Sequence, residues 1–125
     1  MGLLIDQLRW TADGRPDEVA YVDLARGEQL TFSQWDRDSN RLARGLIAAG
    51  VRPGDRVALH LESDHLLRWL VTYPGIHKAG AVFVPTNTRL TVPELARVLG
   101  HAEPVIVLTS PALVATVEAA ASSDG

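Results

Sequence analysis

The sequence contains no cysteine, which excludes both a disulfide framework and a thiolate metal site. It also contains no apolar stretch near the roughly 18 residues that a membrane-spanning helix needs. The net charge is −3 and the pI is about 5.7, so the basic surface typical of nucleic-acid-binding proteins is missing. Hydrophobic residues form 46% of the 125 residues, as in ordinary globular domains. We expect a cytoplasmic protein, because no basic leader precedes the apolar N-terminal residues.

Residues that could carry chemistry are scattered. The four histidines, at positions 60, 65, 77 and 101, have no zinc-binding spacing, so we predict structural roles for them. Ser63, Asp64 and His65 contain the residue types of a catalytic triad. Neighbours in sequence rarely converge on one point, however, and no G-x-S-x-G turn accompanies them. We therefore assign no catalytic residue, no cofactor-binding residue and no metal ligand within the chain.

The fold can be built around residues 42–85. A helix end, a turn at Gly50–Asp55, a strand over Arg56–Leu61, a second helix and a strand over Ala81–Val84 follow one another. This is the order of a parallel βαβ unit. A further apolar run, Val105–Leu108, predicts a third strand. Strands apolar on both faces are typical of a sheet that is covered on both sides, so we expect all three to be buried.

Capping residues and hydrophobic periodicity predict the elements before this unit. A first helix over Leu3–Thr11 has an apolar stripe formed by Leu3, Leu4, Leu8 and Trp10. An antiparallel ribbon follows, with strands over Glu18–Leu24 and Glu28–Phe32. The next helix is expected to begin at Ser33, with Asp36 completing a capping box. Its inner face should contain Trp35, Ser39, Leu42, Ala43, Leu46 and Ile47, and its arginines should face solvent.

The helix between the first two parallel strands should span about Asp64–Ala79, capped by Ser63 or Asp64. Pro74 cannot bond back to the Leu70 carbonyl, so we expect a kink or a break there.

Two more helices are predicted further along. Thr91 and Glu94 form a capping box for a helix that should end at Gly100. Ser110 followed by Pro111 should start a last helix to about Ala121. Residues 122–125 are expected to be a flexible tail.

The predicted fold class is therefore α/β: an N-terminal antiparallel ribbon, then a three-stranded parallel βαβαβ layer with flanking helices. We treat residues 1–125 as a single and incomplete α/β unit. The loops after the predicted parallel strands are not glycine-rich, and the first contains acidic residues. A phosphate-binding loop of the P-loop or dinucleotide type is therefore not indicated.

Three sequence blocks resemble the start of the adenylate-forming (AMP-binding) synthetases, which include acyl-CoA synthetases, 4-coumarate–CoA ligases, luciferases and peptide-synthetase adenylation domains. The blocks are LTFSQWDRDSNRLARGL, AAGVRPGDRVALHLESD and HKAGAVFVPTNTRLTVPELARVLGHAEP. Their order and spacing are similar to those of the family. Thr86-Asn87 after Pro85 is similar to acyl- and aryl-CoA ligases, whereas amino-acid-activating domains more often have Leu-Asp there.

The resemblance implies a fatty-acid–CoA ligase type of enzyme that uses ATP, Mg and CoA. A carboxylate, fatty or aryl, attacks the α-phosphate of ATP, and CoA thiol then displaces AMP from the acyl-adenylate. In the family, the motifs for these steps lie further along a much longer chain. We therefore expect this chain to be the N-terminal portion only, with no activity alone, and its partner to be the remainder of the synthetase.

Two alternatives remain open from the residues. Arg97 could contact the nucleotide end of CoA, since some CoA ligases use a basic residue in this region, or it could belong to a solvated helix face. The chain could also be a free-standing interaction module that self-associates through uncovered apolar surface. For that surface we name Trp69, Tyr73 and Ile76.

Overall fold

The computed structural model describes residues 2–122, with side chains from residue 6 onward. Its five helices and five strands alternate along most of the chain. They are α1 (Gly2–Gly14), β1 (Val19–Asp23), β2 (Glu28–Thr31), α2 (Phe32–Ala48), β3 (Arg56–His60), α3 (Leu66–Lys78), β4 (Val82–Pro85), α4 (Val92–Ala102), β5 (Ile106–Thr109) and α5 (Val114–Ala121). None of the described helices is long and apolar enough to cross a membrane.

The strands form two sheets. β1 and β2 pair antiparallel, and β4, β3 and β5 form a parallel sheet in that order. The predicted ribbon and parallel layer are thus confirmed. Neighbouring residues of β3 point to opposite faces: Val57 packs with α2 and α3, and Ala58 packs with α4 and α5. We call these the Val57 face and the Ala58 face.

Burial is concentrated in the central strand. Residues 57–60 of β3 are at most 2% exposed. The prediction that all three parallel strands are buried is wrong for the other two, because each lies at an edge of the sheet. Residues of β5 are half-buried, and Val82 of β4 is 49% exposed. Within residues 2–122, no further strand pairs with the outer edge of β4 or of β5.

The predicted capping box at Ser33 and Asp36 is wrong by two residues. Thr31 is the N-cap of α2: its hydroxyl accepts from the Gln34 amide at 3.1 Å, and the Gln34 side chain accepts from the Thr31 amide at 2.9 Å. Asp36 instead accepts from the Lys78 ammonium at 2.7 Å. The side chains of Thr31 and Gln34 therefore satisfy each other's backbone amides, which leaves Asp36 free to join α2 to α3.

Helix α3 runs through Pro74 without a break, and it begins at Leu66 without a capping side chain from Ser63 or Asp64. The Leu70 carbonyl, which Pro74 cannot serve, accepts a hydrogen bond from the indole Nε1 of Trp35. A donor from the neighbouring helix therefore replaces the missing intrahelical one. Of the two predicted outcomes, a kink or a break, the break does not occur.

The last two helices depart from prediction at their ends. The Thr91–Glu94 capping box of α4 is confirmed. Gly100 lies inside α4, which ends with Glu103 in the left-handed conformation (φ 50°). α5 begins at Val114 and not at Ser110, because the Ser110 hydroxyl bonds to Glu62. The predicted tail, residues 122–125, lies outside the described residues beyond position 122.

Two predicted inner-face residues are exposed. α1 continues to Gly14, and its Leu8 is buried, but Trp10 is 59% exposed. Leu3 and Leu4 of the same predicted stripe have side chains outside the described residues. In α2, Ser39, Ala43 and Leu46 are buried as predicted, whereas Ile47 is 54% exposed. Both exposed residues lie at the margin of their apolar stripe, where the position of the packing partner decides burial.

Candidate functional site

The carboxyl ends of β3, β4 and β5 carry the polar residues that the fold brings together. Open α/β sheets bind their ligands at this end of the strands. Here the strands end at His60, Pro85 and Thr109, and the next residues include Glu62, Thr86 and Ser110. His60, Thr86 and Ser110 are each at most 7% exposed. We call this group, with Glu62 and Thr109, the carboxyl-edge cluster.

The surroundings of His60 favour its neutral imidazole form. The Thr86 hydroxyl donates its proton to the Leu59 carbonyl at 2.9 Å, so it accepts from Nδ1–H of His60 at 2.6 Å. Nε2 is then an unprotonated acceptor, and it is buried without a partner in the described part of the chain. Burial lowers the pKa of His60, against the smaller opposing effect of the nearby Glu62 carboxylate.

Glu62 lies across the edge from β5. The Ser110 hydroxyl donates to its Oε1 at 2.7 Å, which is the main reason that the pKa of this carboxyl is lowered. Its other oxygen, Oε2, is buried without a hydrogen bond among the described residues, with His65 Nε2 at 3.8 Å. Thr109 closes the cluster by donating to the His60 carbonyl at 2.7 Å. The cluster therefore joins all three parallel strands and leaves two buried acceptor atoms unused.

Ser63, Asp64 and His65, which have the residue types of a catalytic triad, do not form one. Arg26, at the tip of the β1–β2 ribbon, donates to the Asp64 carboxylate at 3.2 Å and lies 3.4 Å from His65 Nε2. Among the described residues no hydrogen bond joins Ser63 to His65, and Ser63 is exposed. Asp64 and His65, in the β3–α3 loop, therefore contact the tip of the ribbon.

The predicted apolar surface is partly present. A groove of about 440 Å³ is lined by Trp35, Ser63, Leu66, Trp69, Leu70, Tyr73 and Phe83, and we call it the aromatic groove. Trp69 and Tyr73 meet the Phe83 ring edge-on, at centroid distances of 6.0 and 5.1 Å. Naming Ile76 was wrong, because its side chain is fully buried against α2 and β3.

A second and larger recess lies on the Val57 face beside β5. It has a volume of about 630 Å³, with Leu59, Leu61 and Leu108 on its floor and Gln29, Arg37 and Arg68 among its polar lining residues. We call it the β5 groove. Residues of α2, including Leu42, and of α3, including Val71, form its other walls.

The residues present do not fit a nucleoside triphosphate or a metal ion by themselves. The loops at the carboxyl edge offer Glu62 and Asp64, whose charge disfavours phosphate, and no glycine-rich turn. Within residues 2–122 no group of three His, Asp or Glu side chains is placed to hold a metal ion. Arg97 is exposed on α4 beside Glu94, which agrees with a solvated helix face.

Sequence reasoning missed the pairs His60–Thr86 and Glu62–Ser110. One signal was available: all four residues lie at or just after predicted parallel strand ends, which meet at one edge. His60 lies within an apolar run and was therefore interpreted as a structural residue. Ser110 is followed by proline and was therefore interpreted as the start of a helix.

Comparison with known proteins gives consistent matches. A family model described as AMP-binding enzyme matches residues 8–124. A fatty acid–[acyl-carrier-protein] ligase, ScoC of Streptomyces coeruleorubidus, is 49% identical over 61% of the chain. Feruloyl-CoA synthase of an Amycolatopsis species is 46% identical over 77% of the chain. The crystal structure of the N-terminal domain of FACL13 from Mycobacterium tuberculosis superposes with a TM-score of 0.86 over 97% of the chain, at 31% identity.

These proteins are much longer than the matched region. The chain spans 14% of the ScoC ligase and 19% of the feruloyl-CoA synthase. It spans 30% of the FACL13 N-terminal domain.

Proposed function

Because the chain belongs to the family of AMP-binding enzymes, we propose that it is the N-terminal portion of an acyl-CoA synthetase. The proposed reaction of the whole enzyme is ATP-dependent activation of a fatty or aryl carboxylic acid to the acyl-adenylate, followed by transfer to CoA. The two relatives named above differ in their thiol acceptor, a carrier protein in one and CoA in the other. Acid activation is the step common to both, and it is the core of the proposal.

The observation that carries the proposal is the match of sequence and fold over almost the whole chain, with the family model covering residues 8–124. Thr86-Asn87 supports the CoA-ligase branch, and the structure gives Thr86 a defined position: it supports His60 at the carboxyl edge. The proposed role of the chain is to present this edge and its grooves to the rest of the enzyme. The expected cytoplasmic location is part of the same proposal.

We propose that the chain has no synthetase activity by itself. The carboxyl-edge cluster offers buried acceptors and carboxylates, whereas charge neutralisation around a transferring phosphoryl group needs donors and cations. The test is pyrophosphate release by the purified 125-residue chain with MgATP and a panel of fatty and aryl acids. We expect no release above the protein-free control; catalytic release would refute this part.

A second candidate is a self-associating α/β module, favoured by the aromatic groove, whose walls are almost entirely apolar. Sedimentation of the isolated chain separates the two, together with a Tyr73→Ser variant that removes an aromatic ring from the groove. A dimer that the variant dissociates supports the module. A monomer at all concentrations would refute the module.

A further inference from the structure

We propose that His65 is a protonation-controlled switch between the tip of the β1–β2 ribbon and the carboxyl edge of the parallel sheet. One ring atom, Nε2, lies between two partners that require opposite protonation states of it. It is 3.4 Å from a guanidinium nitrogen of Arg26 and 3.8 Å from Oε2 of Glu62. This switch belongs to the chain itself, whatever reaction the whole enzyme performs.

The contact with Arg26 requires an unprotonated Nε2. A guanidinium group has only donors, so Nε2 can bond to Arg26 only as an acceptor, and the proton of the neutral ring is then on Nδ1. The same guanidinium nitrogen donates to the Asp64 carboxylate at 3.2 Å, and Nε of Arg26 donates to the Asp64 carbonyl at 3.3 Å. Neutral His65 therefore adds a third bond to the two that hold Arg26 against the β3–α3 loop.

Protonation of Nε2 reverses its preference. The atom becomes a positively charged donor, which repels the guanidinium of Arg26 and attracts the carboxylate of Glu62. Oε2 of Glu62 is a suitable acceptor, because it is buried and has no hydrogen bond among the described residues. The Ser110 hydroxyl donates to the other oxygen and keeps this carboxyl ionised by lowering its pKa. The separation of 3.8 Å is already that of an ion pair, so a small rotation of the ring completes the exchange of partners.

The charges around the ring come from the ribbon and from the β3–α3 loop. Glu62 and Asp64 favour the protonated ring, and the Asp23 carboxylate, 3.7 Å from Nε of Arg26, partly offsets the guanidinium charge. Arg26 opposes protonation, and so does the N-terminus of α3, because His65 is its N-cap residue. The side chain of His65 is 20% exposed, so protons from solvent can reach it. Opposing charges thus surround a type of side chain whose charge commonly changes near neutral pH.

The tip of the ribbon has few other contacts that could hold it. Leu24 is 90% exposed, and Gly27 forms the turn with a φ of 66°. Among the described residues, the only side-chain hydrogen bonds from residues 24–27 to a residue outside the ribbon are those of Arg26. The other end of the ribbon is anchored, because Leu30 of β2 is 5% exposed. Loss of the bond between Arg26 and His65 should therefore loosen the tip while the base of the ribbon stays in place.

Nuclear magnetic resonance of the 125-residue chain measures both halves of the switch in one sample. The ¹⁵N chemical shift of His65 Nε2 reports its protonation, and ¹⁵N relaxation of the amides of residues 24–27 reports the motion of the tip. Both are followed between about pH 8 and pH 5, the range in which histidine changes charge. We expect order parameters at the tip to fall from about 0.8 to below about 0.6 as Nε2 takes up its proton. Tip order that stays constant while Nε2 titrates, or an Nε2 that does not titrate, would overturn the switch.

Three variants separate the switch from a general effect of acid. His65→Gln cannot take up a proton, so the tip should keep its alkaline order parameters across the same pH range. Glu62→Gln removes the charge that attracts the protonated ring, so the loosening should move to lower pH. His101→Gln changes an exposed histidine on α4 and is the matched control, which should loosen as the unmodified chain does. Loosening that persists in His65→Gln, or that is lost in His101→Gln, would contradict the assignment of the switch to His65.

Discussion

The indole Nε1 of Trp35 on α2 donates to the carbonyl of Leu70 on α3, four residues before Pro74. A proline at that position has no N–H for this carbonyl, and a partly buried carbonyl without a donor costs free energy. The pair therefore allows a proline inside a continuous helix and fixes α2 against α3.

This relationship predicts coupling between Trp35 and Pro74. Trp35→Phe keeps an aromatic ring but removes the donor, and we expect a loss of about 1–3 kcal/mol in the free energy of unfolding, measured in urea. In a Pro74→Ala background the amide of the introduced alanine can serve the Leu70 carbonyl, so the same substitution should cost less. The loss of ring size is common to both backgrounds. Equal costs would show that the indole hydrogen bond is not the reason.

Gly75 predicts a second constraint on the same contact. A Cβ at this position would lie 2.7 Å from Leu42 Cδ2 and 3.0 Å from Leu42 Cβ, so Gly75→Ala forces α2 and α3 apart. We expect a destabilisation of about 1–3 kcal/mol. Gly45→Ala is the matched control, because a Cβ there meets nothing within 4 Å. The control should stabilise α2 by about 0.5–1 kcal/mol, and opposite signs for the two variants are the decisive result.

Lys78, the single lysine, links α3 to α2. Its ammonium donates to Asp36 Oδ1 at 2.7 Å, Ser39 Oγ at 2.8 Å and Asn40 Oδ1 at 2.9 Å, and its side chain is 11% exposed. Lys78→Met leaves Asp36 without its cation, so we expect a loss of about 3 kcal/mol in thermal or urea unfolding.

Two further variants test this interpretation. Adding Asp36→Asn should recover part of the loss, because the unpaired charge is then removed. Arg9→Met removes an exposed pair with Asp6 at 3.8 Å and should cost less than about 1 kcal/mol. A similar cost for Lys78→Met would mean that water replaces the ammonium at no penalty.

His60 predicts a pH dependence. Because the pKa of His60 in the folded chain lies below the ordinary value of 6.5, acid protonates this histidine in the unfolded chain before it does so in the folded chain. The contribution of His60 to the free energy of unfolding is therefore fully present well above pH 6.5. It is lost as pH decreases toward the folded pKa, by at most about 1.4 kcal/mol per pH unit. Urea unfolding between about pH 7.5 and 5 should show this slope. The part of the slope that comes from His60 should be absent in His60→Gln and present in His101→Gln, where the histidine is exposed.

The outcome for the fold shows what local sequence can determine. The capping box at Thr91 and Glu94 was predictable, because both partners lie within four residues of each other. A kink or a break at Pro74 was predicted from the same local rules, yet the helix does not break, because the compensating donor is Trp35, far away in sequence. Ser110 was mistaken for a cap for the same reason: its partner, Glu62, lies in another loop. Long-range partners override local preference at each of these positions.

The most direct measurement is adenylate formation by a fusion in which residues 1–122 replace the aligned segment of the Amycolatopsis feruloyl-CoA synthase, followed as ferulate-dependent pyrophosphate release. The host lacking its aligned segment, and the host restored with its own segment, are the two references. If this chain is the N-terminal portion of such an enzyme, the fusion should release pyrophosphate well above the truncated host. A folded fusion that is no more active than the truncated host would contradict the account.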